Sequence, residues 1–226
     1  MGKSYAIDSG SASLNERIKL AFGLMALIWL TGLVGHFTPL KEWPALGIYV
    51  IGGIGVVVWR GVSKGEWAKM YLAGSNLRKS LKWGGLIGGG LLAMALLNTV
   101  FAYKYQNGIS MMSGMQYLLV NRSLLYLFPV LILAEEFLWR GLMLSALVEK
   151  GLNKHLAVFA TTILFQLNHF AVAPVSMEER GLLAMMAFSL GLAGGYISAS
   201  SRNVWGSVLL HLLLMVGMIG VLLVVA

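Results

Sequence analysis

Residues 127–147 read LFPVLILAEEFLWRGLMLSAL, a run long enough to cross a bilayer, since about 20 apolar helical residues span the hydrocarbon core. Inside it stand Glu135, Glu136 and Arg140. An ionisable side chain at the centre of a membrane helix costs ~2.5–3.5 kcal/mol on insertion scales, so a cluster of three points to function before packing.

The rest of the chain supports a membrane reading. Of its 226 residues 58% are hydrophobic and only 12% charged, and the mean hydropathy is +0.78, which sets it apart from soluble domains. The expected fold is all-α, a polytopic membrane helix bundle of about seven or eight transmembrane helices. Apolar runs place spans near 18–38, 43–60, 83–103, 124–148, 155–173, 181–199 and 204–226. This gives a polar N-terminal segment, 1–17, and a single integral-membrane domain, 18–226. Residues 63–80, SKGEWAKMYLAGSNLRKS, mix basic and apolar side chains and suggest a short amphipathic helix on the membrane surface.

Charge placement orients the spans. Arg60, Lys64, Lys69, Arg78, Lys79 and Lys82 crowd one loop against the single acid Glu66, and Lys3, Arg17, Lys19, Lys150, Lys154 and Arg202 fall on the same side. That side is expected to be cytoplasmic, with the N-terminus, while Lys41, Lys104, Arg122 and Arg180 take the other. The net charge of +8 is then accounted for by topology and anionic headgroups, and no nucleic-acid partner is expected. Cysteine is absent, so there is neither a thiol nucleophile nor a thiolate metal ligand. Small residues four apart, Gly84 with Gly88, Gly85 with Gly89 and Gly191 with Gly195, read as helix-packing seams.

The polar residues inside spans recur at helical spacing. Glu136 and Arg140 lie four apart and can pair, each offsetting the other's desolvation. Glu135 is turned about 100° from Glu136, free to face a different surface. Phe165 and His169 are four apart on the next span, and His211 lies two turns into the last. His36 and His155 fall at span ends and suit the surface. If Glu135, His169 and His211 converge on one cavity, a glutamate with a histidine can deprotonate water while a second histidine donates to the oxyanion of an attacked carbonyl.

These residues carry a family resemblance. Glu135-Glu136-x-x-x-Arg140, Phe165-x-x-x-His169 and the final-helix His211, with GLAGGYISASSRNVWGSVLLH leading into it, resemble the three motifs of the CPBP family over about residues 120–216. That family comprises membrane-embedded CAAX prenyl proteases and bacteriocin-processing, Abi-like enzymes. The resemblance implies an intramembrane glutamic-type endopeptidase, with Glu135 and His169 activating water, Glu136 and Arg140 in support and His211 stabilising the oxyanion. The family's third motif usually continues His-x-x-x-Asn, whereas here Met215 follows His211. A thioether donates no hydrogen bond, and loss of one oxyanion donor typically costs ~10²–10³ in rate.

The expected partners are a peptide or membrane-protein substrate and the lipid bilayer, in the plasma membrane of a bacterium or archaeon. No cofactor is expected. Two carboxylates and two histidines could hold zinc, but no His-Glu-x-x-His helix occurs and Glu136 is engaged by Arg140. Two other classes use the same residues. A non-catalytic immunity or scaffold protein binding a peptide in the cavity would tolerate Met215 more easily, and a proton-coupled transporter would be expected to show an inverted repeat, which this sequence does not.

Overall fold

The computed structural model describes residues 5–105 and 112–224, and among these no strand occurs. The helices are α1 (Tyr5–His36), α2 (Trp43–Lys64), α3 (Leu77–Tyr105), α4 (Ser113–Asn121), α5 (Leu124–Glu149), α6 (Lys154–Val172), α7 (Met177–Ser201) and α8 (Trp205–Val224). Helix is the form that lets a backbone satisfy its own N–H and C=O groups where no water is available. Of the eight, α1, α2, α3, α6, α7 and α8 are each long and apolar enough to span a membrane, and α4 with α5 qualifies as a seventh span broken by an 83° bend. The all-α polytopic bundle expected from composition is therefore the fold found. Described from Tyr5, the polar N-terminal residues run directly into α1, and Arg17 within them is fully buried.

Local sequence sets the boundaries. Pro44 and Pro129 lie in the first turns of α2 and of the α-helical part of α5, where a missing N–H is harmless. Gly65, in the left-handed region at φ 65°, ends α2, and Ser176 with Glu179 forms a capping box that starts α7. α5 is not uniform. Its Phe128–Glu136 portion is α-helical, whereas Phe137–Leu144 is π-helical, a rare widened winding that is frequent at functional sites.

Four of the six glycines in the predicted seams meet a neighbouring helix. A Cβ on Gly84 would fall 2.1 Å from the Gly206 carbonyl of α8, and one on Gly88 would fall 2.9 Å from Leu213. On α7, Gly191 and Gly195 admit Thr162 and Val158 of α6. Gly85 makes only ordinary contact with Leu209, and Gly89 faces open space.

Residues 63–80 differ from the sequence expectation. They do not form a surface helix: α2 continues to Lys64, residues 65–76 are a series of turns, and α3 begins at Leu77. Met70, Tyr71 and Leu72 are buried in the main core instead of lying on lipid. Backbone bonds explain the preference. Tyr71 O accepts from Val204 N (2.9 Å), and Asn203 Nδ2 donates to Ala73 O (2.9 Å) and Ser75 O (3.0 Å), pinning the turns to the α7–α8 corner.

Buried ion pairs fasten both ends of the bundle. At the end carrying most of the basic residues, Arg60 donates to Glu66 through Nε (2.6 Å) and Nη2 (2.9 Å) and to Glu16 through Nη1 (2.6 Å), while Arg17 pairs with Glu149. Burial acts to raise the Glu66 carboxyl, but hydrogen bonds from Arg60 and Ser13 outweigh it and hold Glu66 below the usual carboxylate range. At the other end Arg180 pairs with Glu42 and donates to the Phe170 carbonyl (2.6 Å) and the Val175 carbonyl (3.1 Å). Glu42 is also held low: burial raises it, and bonds from Arg180 and His36 more than reverse that. Next to Arg180, Glu179 accepts from the backbone N–H groups of Gly114 (2.7 Å) and Met115 (3.3 Å), anchoring the start of α4.

Candidate active site

The two glutamates close the α-helical part of α5, where the π-helical turn begins. Both are buried, and they face different ways. Glu136 turns inward. Its Oε2 accepts from Ser207 Oγ at 2.5 Å and lies 3.4 Å from Arg140 Nε, and its Oε1 is 3.0 Å from His211 Nδ1. Glu135 lines a cavity of about 410 Å³, and its Oε2 is 3.6 Å from His211 Nε2. The intrahelical Glu136 and Arg140 pair and the separate facing of Glu135 match the helical-spacing reading.

His211 bridges the two carboxylates, using one ring nitrogen toward each. It comes from α8, and its neighbour on the same face, four residues earlier, is Ser207. The close approach of α7 that this requires depends on Gly194, where a Cβ would sit 2.1 Å from Ser207 Oγ and 3.5 Å from Arg140 Nη2.

His169 enters the cavity from α6. Its Nδ1 is 3.0 Å from the Phe165 carbonyl. A carbonyl only accepts, so Nδ1 carries the proton and the neutral ring keeps its lone pair on Nε2. Phe165 joins the two halves of the site. Its ring centroid is 5.0 Å from that of His169, 6.3 Å from that of His211 and 4.6 Å from the Arg140 guanidinium carbon, a distance at which a cation over a ring face is attracted. Arg140 is held further by the Leu190 carbonyl, 3.5 Å from Nη2. Behind the site Trp139 Nε1 donates to the Tyr49 hydroxyl.

Glu135, His169 and His211 are the ionisable residues of the cavity lining. The remainder is almost wholly apolar: Leu46, Val50 and Ile51 of α2, Met115 and Leu118 of α4, Leu127, Phe128 and Leu131 of α5, and Met215 and Met218 of α8 among others. Met215 thus stands beside His211 in the wall of the cavity and supplies no donor. The cavity reaches the outer surface of the bundle between α2 and α5, because Ile51 and Leu127 line it while remaining 76% and 60% exposed. Among the described residues no group of three or more His, Asp or Glu side chains is arranged to hold a metal ion. His36 and His155 stay apart from the site, His36 beside Glu42 and His155 beside Tyr196.

Ser207, Gly194 and the bridging position of His211 went unread in the sequence. The four-residue interval from Ser207 to His211 is the signal that could have revealed the serine. Nothing in the sequence marks Gly194 out from its neighbour Gly195.

Together the bundle and its buried cluster define a polytopic membrane protein that keeps a set of polar, ionisable groups at an apolar cavity within its spans. Residues 118–216 match the family model described as type II CAAX prenyl endopeptidase, Rce1-like. That stretch holds every residue of the cluster from Glu135 to Met215, and over it the chain is similar to this family of membrane endopeptidases. No curated protein and no solved structure matches the chain.

Proposed function

We propose that the protein hydrolyses a peptide bond at this cavity by a glutamate- and histidine-activated water, with no covalent intermediate. The observation that carries the reading is that Glu135, His169 and His211 line one apolar cavity, with Glu136 and Arg140 paired beside them. A water between the Glu135 carboxylate and the free Nε2 of His169 gives a proton to Glu135 as its oxygen bonds to the substrate carbonyl carbon. The carbonyl π pair moves onto oxygen, which is stabilised by His211. Collapse of this intermediate breaks the C–N bond, and Glu135 returns the proton to the departing amine.

Supporting roles follow from position. Glu136 accepts from His211 Nδ1, which leaves Nε2 pointing at Glu135 and the cavity; that nitrogen donates to an oxyanion when it carries a proton. Arg140 balances the charge of Glu136, and Phe165 spaces the two histidines. The substrate is a peptide or membrane-protein segment with a large apolar portion, entering between α2 and α5 from the bilayer. A lipidated C-terminus of the CAAX type fits that description. The basic end is cytoplasmic and the membrane is the plasma membrane of a bacterium or archaeon. No metal takes part, so cleavage persists after chelation.

The decisive experiment compares purified wild type, Glu135→Ala and His169→Ala on peptide cleavage, with peptidomics of cells carrying wild type or Glu135→Ala to identify the substrate. Both variants are expected to lose activity; cleavage at the wild-type rate by either would refute the mechanism. One observation favours a second reading, a non-catalytic protein that binds a peptide in the same cavity: Met215 leaves His211 without a neighbouring donor. That reading requires Glu135→Gln to preserve the biological phenotype.

A further inference from the structure

A second groove runs along the outer surface of the bundle, between α3 and α7 and away from the buried cluster. Its volume is also about 410 Å³. α3 contributes Lys79, Trp83 and Ile87, and α7 contributes Ala193, Tyr196 and Ser200, with each helix presenting one face. Because the helices run in opposite directions, Lys79 and Ser200 share one end of the groove and Ile87 and Ala193 the other. From Lys79 to Ile87 is about 12 Å along the helix axis, at 1.5 Å per residue. The groove therefore passes from polar to apolar over the distance from a membrane interface into the hydrocarbon.

The polar end lies at the basic end of the bundle. Among the described residues Lys79 has no carboxylate partner, and neither do Arg78, Lys82 or Arg202 nearby. Trp83 is half-exposed at the intermediate depth, where aromatic rings favour the headgroup boundary. A second copy of this chain in the same membrane orientation would bring its own cluster of cations to the same depth and be repelled. An anion with a hydrocarbon tail has the complementary charge and shape.

We infer that this groove binds one anionic phospholipid from the leaflet at the basic end, with its phosphate at Lys79 and Ser200 and an acyl chain along Trp83, Ile87 and Ala193. The site is separate from the proposed catalytic cavity and does not depend on its activity. The test is native mass spectrometry of the full chain released from detergent containing phosphatidylglycerol or phosphatidylcholine of identical chains. One phosphatidylglycerol per chain is expected to be retained, and Lys79→Glu is expected to reduce its retention about tenfold, since each interfacial Lys contributes ~1 kcal/mol and the reversal adds repulsion. Ala193→Trp, which fills the apolar half without changing charge, should reduce it comparably, while Lys64→Glu, at the same end but outside the groove, should not. Equal retention of the two lipids would overturn the assignment. So would a loss in Lys64→Glu matching that in Lys79→Glu, an unaffected Ala193→Trp, or displacement of the lipid by an equal concentration of glycerol phosphate.

Discussion

Glu136 is met by three side chains from two helices, Arg140 of its own helix and Ser207 and His211 of α8. A carboxylate so engaged fixes the ring that faces the cavity. Hydrogen bonds to charged groups are worth ~1.5–3 kcal/mol, so Ser207→Ala is expected to lower kcat about tenfold or more while leaving KM nearly unchanged, which steady-state kinetics would show. Met215→Asn should act in the opposite sense. An amide at this position in the cavity wall adds a donor beside His211, and kcat is expected to rise by about tenfold or more, within the ~10²–10³ that one oxyanion donor commands. If kcat falls or stays level in a folded Met215→Asn protein, the oxyanion does not form at that wall. At this scale the sequence was legible where charge broke an apolar pattern. Glu135, Glu136 and Arg140 announced themselves by their cost, whereas Ser207 is too ordinary a membrane residue to stand out until its partner is known.

Among the elements, the turn segment 65–76 and the π-helical part of α5 were the least legible. Trp67, Met70, Tyr71 and Leu72 are apolar enough for a surface helix, and only their long-range partners, Val204 and Asn203, decide that they fold inward. The winding of Phe137–Leu144 has no composition of its own. By contrast the Gly84/Gly88 and Gly191/Gly195 seams could be read because small residues at four-residue intervals let helices approach closely in lipid, although the same spacing at Gly85 and Gly89 makes no such seam. The same turn segment carries an acid-sensitive fastening. Glu66 has a folded-state value below that of the unfolded chain, so its contribution to stability is complete above the usual carboxylate range and is lost as pH falls through the depressed value. Resistance to thermal unfolding in detergent should therefore fall below about pH 4. Glu66→Ala is expected to be ~3 kcal/mol less stable at neutral pH, since the buried Arg60 keeps one carboxylate partner, the exposed Glu16, beside its bonds to Ser13, and to lose less of its remaining stability on acidification.

For the whole molecule, the long helices alternate in direction, and the contacts at each end agree. Arg17, Arg60, Lys69 and Glu149 meet at the basic end, and Glu42, Phe170, Glu179 and Arg180 at the other. With α4 and α5 counted as one bent span, seven crossings put the two termini on opposite sides. Reporter fusions should accordingly give a cytoplasmic signal at the N-terminus and an external one at the C-terminus; two signals on the same side would remove α5 from the list of crossings. Helix number and basic asymmetry were readable because the bilayer imposes length and charge rules on any chain, while the placement of α4 depends on tertiary contacts, the Glu179 carboxylate at its start and the burial of Met115 and Leu119 in a core cluster with α8 residues. The cavity thus has two mechanical parts. The floor, with Glu135, His169 and His211, is built into long packed helices, whereas the roof from α4, with Met115 and Leu118, is fastened at its leading end to the Glu179 carboxylate. Under the proposed function, what the cavity admits and how fast it reacts are therefore held by different parts of the molecule, and changes in α4 are expected to retune selectivity while Glu135, His169 and His211 stay in register.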